Sequence, residues 1–528
     1  MLLRVGSTPL PLVLGCSFLL FGCGAMQSHD RLASEVQATS RVGGFPAAIA
    51  QLDKSATTEE DKAALLYNLE RGELLRLNQQ YAESTAAFLK ADAKVQQWED
   101  AAKSNPGKLM GLVGAALISE RLNTYEGADY EKVWLTTRLA LNRLAQGDLV
   151  NARVDLKRTH EREAVIAEFR SSETLAAEED AKKKGANTST KELNGYPVES
   201  LNDAEVVKLK NGYQNALSHY LAGFVYEILN EPGLAAPGYR KAIELRPGML
   251  VLEEGLRGLD GRTSFGQKRA QKMTDVLFVV EAGNAPARRS RGFTVPIPRH
   301  NKIQTVSISY PVIDASTDTP LGYIAAGGKS LKLDNVVDVN VMARRTLKDA
   351  MPGMVIRGIT RAFVKLELQD QLSKNAGVFG AIAAVVASVV TEQADDRMWR
   401  MLPGRVYVAR GFLPVGNHKL TIDGREIDAN IKIDGQFSVV PIRLYEGAAV
   451  VAEPVSFGKL AAPPATVTPD KKEAEKVPAK TAPAKKQNKK PDPTANSGTS
   501  SSATSSAAPA PPAAAKPATK PVPQPSGL

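Results

Sequence analysis

Residues 219–248 read HYLAGFVYEILNEPGLAAPGYRKAIELRPG, and their spacing sets the reading of the whole N-terminal half. Small and large apolar residues recur at helical intervals. Gly223 and Tyr226 fall where a first helix would pack, and Ala235, Tyr239 and Ala242 fall where a second would pack against it. Pro247 ends the unit, since proline cannot continue a helix. The pattern has a steric cause: small side chains let two helices approach, and aromatic rings fill the adjoining gaps. The spacing therefore predicts a pair of antiparallel helices.

This stretch resembles a tetratricopeptide repeat, a helix pair of about 34 residues, although the tryptophan-like position near His219 is not kept. A second copy, LYNLERGELLRLNQQYAESTAAFLKAD (66–92), places Gly72, Tyr81, Phe88 and Ala91 at matching offsets. A third, VWLTTRLALNRLAQGDLVNARVDLKR (133–158), keeps the Gly147-Asp148 turn and Ala152. Stacked pairs bury a continuous core and leave a concave face that binds proteins; a plain helical bundle is the alternative. Residues 45–260 are thus expected to be an all-α, tetratricopeptide-like domain. Its charged segment 171–200 reads as a loop or an exposed helix extension. The stretch YEGADYEKVWLTTRLALNRLAQGDLVNARVDLKRTHERE (125–163) also resembles a poorly characterised family of bacterial envelope lipoproteins with tetratricopeptide-like N-terminal halves. That resemblance implies location and architecture, not activity.

The first residues fit the same address. Arg4 precedes an apolar stretch, LPLVLGCSFLLFGCG, with the proportions of a secretory h-region. It ends in Leu20-Phe21-Gly22-Cys23, which resembles the lipobox of bacterial lipoproteins. The resemblance implies a signal peptide over 1–22, a lipidated Cys23 and a linker over 23–44. Val13-Leu14-Gly15-Cys16 is a rival box with too little apolar chain before it, and an uncleaved signal anchor is the other alternative. Gly24 is not the aspartate that resembles an inner-membrane retention signal, so the expected location is the periplasmic face of the outer membrane of a Gram-negative bacterium. The only cysteines are Cys16 and Cys23, which leaves no disulfide framework, cysteine-type zinc site or catalytic thiol.

The net charge of +10 points to anionic neighbours. Residues 462–528, rich in Pro, Ala, Lys and Ser, hold ten lysines against four acids, so about +6 of the charge lies there. Such a segment buries too little apolar surface to offset chain entropy and is expected to be a disordered, extended cationic tether. In the periplasm its expected contacts are peptidoglycan carboxylates or anionic lipid, not nucleic acid.

Near residue 275 the period changes. DVLFVVEAG (275–283) reads as a buried strand, and TVSISYPVI (305–313) and VVDVNVMA (336–343) alternate. Short strands with Gly-Asn and Asp-Gly turns fill 405–445. Residues 270–455 are expected to form an antiparallel β domain with an inserted helical pair, making the chain α+β and multidomain. Met351-Pro352 opens that pair, whose first helix carries Arg357, Arg361 and Lys365 on one face. The second is AGVFGAIAAVVASVV (376–390). Fifteen helical residues reach about 22 Å, short of a bilayer core of about 30 Å. Ala376, Gly380, Ala384 and Ser388 fall four apart, a smooth ridge for a packed core helix or for self-association. After it, Arg397, Trp399 and Arg400 read as a buried anchor with a structural Asp–Arg pair, or as an interface hot spot.

Catalytic chemistry has no constellation here. His29, His160, His219, His300 and His418 show no HxxxH or HExxH spacing, and no GxSxG, Walker A or GxGxxG motif occurs. Glu59-Glu60-Asp61 and Asp395-Asp396 read as exposed charge. The expectation is a non-enzymatic scaffold without cofactor, acting in envelope biogenesis or surface-structure assembly. A regulator of peptidoglycan synthesis and a glycan-binding module are the alternatives.

Overall fold

The computed structural model describes residues 29–107, 124–184, 198–265, 273–299, 302–354 and 394–459. Cys23, the Arg357/Arg361/Lys365 face, the ridge of Ala376, Gly380, Ala384 and Ser388, and the tail 462–528 lie outside the described residues. Helices occupy the N-terminal half and strands the C-terminal half.

The helices are α1 His29–Arg41, α2 Phe45–Ser55, α3 Glu59–Ala63, α4 Leu65–Leu77, α5 Tyr81–Ser104, α6 Asp129–Ala145 and α7 Leu149–Lys184. Then come α8 Val198–Asn202, α9 Ala204–Lys208, α10 Ala216–Ile228, α11 Pro232–Leu245, α12 Leu250–Arg257 and α13 Leu259–Phe265. Three hairpins, α4–α5, α6–α7 and α10–α11, follow one pattern. Gly72, Ala140 and Gly223 start it, and seven residues later Gln79, Gly147 and Asn230 take left-handed φ of 60°, 74° and 59°. Each of these turns closes in the same way. Gln80 donates its backbone N–H to Leu75, Asp148 to Arg143 and Glu231 to Tyr226, which satisfies carbonyls left free at a helix end. Small residues follow at Ser84, Ala152 and Ala235, large ones at Phe88, Leu156 and Tyr239, then small ones at Ala91, Thr159 and Ala242, all fully buried. The approach is tight where glycine starts the pattern. A Cβ on Gly72 would sit 2.5 Å from the Phe88 ring, and one on Gly223 2.7 Å from the Tyr239 ring.

The central sheet runs β11-β10-β1-β7-β6, with β12 also on β10. Its strands are β1 Met273–Ala282, β6 Asp334–Asp338, β7 Arg405–Pro414, β10 Phe437–Leu444, β11 Ala449–Val451 and β12 Val455–Phe457. β2 Arg288–Arg299 and β3 Lys302–Ile313 pair only with each other. A second sheet, β5-β4-β8-β9, is built from β4 Tyr323–Ala326, β5 Lys329–Lys332, β8 Gly416–Ile422 and β9 Arg425–Ile433. β1 is buried along almost its whole length, as a strand covered on both faces must be. Leu277 and Val279 join the core under the helices, while Val276, Phe278 and Val280 pack with Ile422, Ile431 and Ile433 of the second sheet. The result is three layers: helices, central sheet, second sheet.

Several expectations are corrected. The sheet is mixed rather than antiparallel, because β1 pairs with β10 in parallel, Asp275 opposite Phe437 through Ala282 opposite Leu444. Residues 29–41, expected within a linker, form α1, and Ala33 and Val36 enter the core. The halves expected at 45–260 and 270–455 share one core, and contacts within 1–465 form one compact unit. The strand expected over 336–343 stops at Asp338. Its carboxylate caps the next turn by accepting the Val341 N–H at 3.0 Å, and residues 339–354 are helical, with Met351-Pro352 inside rather than opening them. Of the charged segment 171–200, the part up to Lys184 continues α7.

Candidate functional site

The site forms where an irregular strap, residues 394–404, crosses the helices. Such backbone has no ladder of its own, so its N–H groups need partners from elsewhere. Two buried carboxylates supply them. Glu70 on α4 accepts the N–H of Arg400 at 2.6 Å and of Met401 at 3.0 Å, and Glu131 on α6 accepts that of Trp399 at 2.7 Å. Burial pushes the Glu70 carboxyl up to about 8 against the pull of those two N–H groups. Burial raises Glu131 too, opposed by the Trp399 N–H and the Tyr125 hydroxyl. The Trp399 ring is fully buried, edge-on to Phe88 with centroids 5.7 Å apart, and so ties the strap to the first hairpin.

From α1, Gln37 donates to the Arg400 carbonyl at 2.7 Å and His29 Nε2 to the Met398 carbonyl at 3.1 Å. The Arg400 guanidinium reaches Asp30 at 2.6 Å and Gln37 at 3.0 Å. Burial lowers the affinity of His29 for a proton, only partly offset by the Met398 carbonyl. Between α1, α2, the start of α4 and the strap lies a cleft of about 200 Å³. Its walls are mainly aliphatic, Leu32, Ala33, Val36, Leu52 and Ala56 among them, with Glu70 and Arg400 as buried polar groups. Ser55, Asp61 and Ala64 stand exposed at its rim.

The strap continues into an ionic network between helices and sheet. Arg443 on β10 donates to the Met401 carbonyl at 3.1 Å. It also lies 3.3 Å from Glu281 on β1, as does Arg76, and Arg138 bonds the same carboxylate. Glu73 stands 3.0 Å from Arg138 and 3.7 Å from Arg76. Three arginines thus face two glutamates, all nearly inaccessible to solvent. Burial alone would raise Glu281, but the three guanidiniums outweigh it and hold the carboxyl well below the usual range. A second network joins Arg410 to Glu227 at 2.9 Å and Asp275 at 2.8 Å, with Tyr239 donating to Glu227 at 2.6 Å. These groups bond to one another and hold the layers together; the cleft is where a ligand has room.

Of the residues singled out in the sequence, Gly72, Phe88, Ala91, Gly223, Ala235, Tyr239 and Ala242 are buried between paired helices. Tyr81 and Tyr226 are half-buried, Tyr226 beneath the Arg153 guanidinium, and Pro247 lies exposed in the turn after α11. Trp399 and Arg400 are buried anchors, and Arg397 pairs with Asp395 at 2.8 Å. Asp395 and Asp396, expected to be exposed, are half-buried and buried, because the strap turns inward beneath α1. His160 and His219, far apart in sequence, stack with ring centroids 4.4 Å apart; burial first, then the neighbouring imidazole, lowers His160 to about 4. The sequence reading missed His29, Glu70, Glu131 and the Glu281 network. The signal it could have used is a carboxylate amid apolar residues, as in β1, VLFVVEA. Comparison with known proteins gives no match to a family model, a curated protein or a solved structure. Among the described residues no helix is long and apolar enough to cross a membrane.

Proposed function

We propose that the chain is a non-enzymatic scaffold lipoprotein, held at the periplasmic face of the outer membrane by a lipid on Cys23. In this reading its hairpins are tetratricopeptide-like repeats that bind protein partners in cell-envelope assembly. The register of the three hairpins carries the proposal: small, left-handed turn, small, large and small residues recur at the same offsets from Gly72, Ala140 and Gly223. A bundle that only fills a core has no need to repeat these offsets. Repeats of this kind pack their conserved positions inward and leave the remaining face for partners. Leu89, Val150, Val154 and Leu234, on the second helices of the hairpins, are large apolar residues left exposed. The basic tail adds a contact to peptidoglycan or anionic lipid.

The test is photo-crosslinking in the native bacterium, with a benzophenone amino acid placed in turn at these four positions and at exposed Lys419 on β8. The reading expects discrete adducts with an envelope protein from the hairpin positions and none from Lys419. Adducts of equal yield from Lys419, or none from any hairpin position in a stably folded chain, would overturn it. Mass spectrometry of the mature N-terminal peptide tests the anchor separately.

A further inference from the structure

We propose that the cleft between α1, α2 and the strap binds an aliphatic acyl chain carried in neutral ester or amide linkage, the chemistry of a lipid tail. Three observations converge on it. The walls are aliphatic: Leu32, Ala33 and Val36 from α1 face Leu52 and Ala56 from α2. An aromatic ligand would ordinarily meet aromatic walls, whereas only Tyr67 contributes a phenyl ring here. The volume, about 200 Å³, exceeds the 150 Å³ that accepts benzene in a dry apolar cavity, and so suits a segment of about eight carbons.

The third observation is polar. Arg400 lines the cleft at 5% exposure, and its Nε has no hydrogen-bond partner among the described residues. That N–H can meet a carbonyl oxygen. It does not call for an anion, because the guanidinium charge is already matched by Asp30 at 2.6 Å. The other groups around the cleft supply no spare cation. Asp61 on α3 is a carboxylate held by the amides of Thr57 and Thr58, Tyr67 on α4 donates to Asp53, and burial keeps His29 from taking a proton. Glu70 is protonated up to about pH 8, and Glu131 behind it on α6 carries no positive charge. A neutral carbonyl therefore fits where a free carboxylate would find no partner. His29, beside the cleft, is six residues from Cys23, a reach of about 20 Å when extended. The tail can come from a lipid on Cys23 or from a membrane glyceride.

The experiment uses the full 528-residue chain made by cell-free synthesis without membranes, so that Cys23 is unmodified. Calorimetry compares 1-monooctanoylglycerol with octanoate, the same chain with a charged head. The proposal expects the ester to bind at least tenfold more tightly than the acid at pH 7. Ala33→Leu and Ala56→Leu fill the space; each should weaken ester binding tenfold or more without lowering the melting temperature. Binding of the ester unchanged in both variants, equal binding of octanoate, or no binding of either compound to the unmodified chain would overturn it. Chain purified from membranes then separates the sources. If its own tail fills the cleft, it refuses added ester until Cys23→Ser frees the site; if it binds ester as the unmodified chain does, the tail belongs to another lipid. Only this last arm rests on the lipid-anchor reading. Loss of the lipid from the N-terminal peptide would sink that reading and leave the calorimetric result standing.

Discussion

Replacing Glu281 by leucine should be among the most damaging single changes in the molecule. The carboxylate is 2% exposed, lies 3.3 Å from both Arg76 and Arg443, and bonds Arg138. Without it, three buried guanidiniums share Glu73 alone, whose distances to them run from 3.0 Å to 3.9 Å. Removing one partner from a buried ion pair costs about 3–5 kcal/mol. Asn284 and the Met401 carbonyl still hold Arg443, so we expect about 3 kcal/mol, a large share of a typical total of roughly 5–15 kcal/mol. The double change Glu281→Leu with Arg138→Met removes one charge of each sign and should recover more than half of the loss. Urea unfolding followed by circular dichroism at pH 7 reads both values. A single variant that loses less than about 1 kcal/mol, or a double variant no more stable than the single, would refute the network as drawn. The acid limb gives an independent check. The folded pKa of Glu281 lies below its unfolded value of about 4.3, so its contribution is present above that pH and is lost as pH falls further. The leucine variant should lack that part of the acid transition.

Gly72→Ala should cost about 1–3 kcal/mol in thermal or urea unfolding, since its Cβ would lie 2.5 Å from the Phe88 ring, and adding Phe88→Leu should recover part of it. Gln79→Gly should stabilise by about 1 kcal/mol, because Gln79 holds a left-handed φ of 60° that strains any side chain; a loss of stability would contradict that turn. Glu70 acts in the opposite sense to Glu281. Its folded pKa of about 8 lies above the ordinary carboxylate value, so its contribution is full in acid and fades as pH rises toward 8, by up to about 1.4 kcal/mol per pH unit. Glu70→Gln should flatten that slope in melting curves taken from pH 5 to pH 9; parallel slopes in the two proteins would rule the assignment out.

What could be read from the sequence depended on whether the signal was local. The hairpins were legible because Gly72 and Gly223 mark close approach and Gly147 marks a left-handed turn within a few residues of what they shape. β1 was legible because a strand buried on both faces is almost continuously apolar. Its parallel partner was not, since Asp275 and Phe437 are 162 residues apart in sequence and pairing direction leaves no mark in either strand. VVDVNVMA alternates well enough to pass for a strand; only the reach of Asp338 back to the Val341 amide turns it into a helix start. α1 has few large apolar residues and passed for a linker. The networks failed for a different reason. Glu73, Arg76 and Arg138 look like a solvated helix face until a sheet carrying Glu281 and Arg443 covers it, and that covering is a long-range fact.

The parallel pairing also bears on how the chain can be made. β1 leaves the ribosome early, yet its neighbours β7 and β10 begin more than 130 residues later, at Arg405 and Phe437. Until then its apolar edges have no ladder and Glu281 lacks Arg443. Contacts of such long sequence separation slow folding and prolong the exposure of sticky intermediates. A nascent chain cut short before Leu444 therefore holds the helices and the central strand but cannot close the sheet. It belongs with the clients that a holding chaperone must keep apart during export.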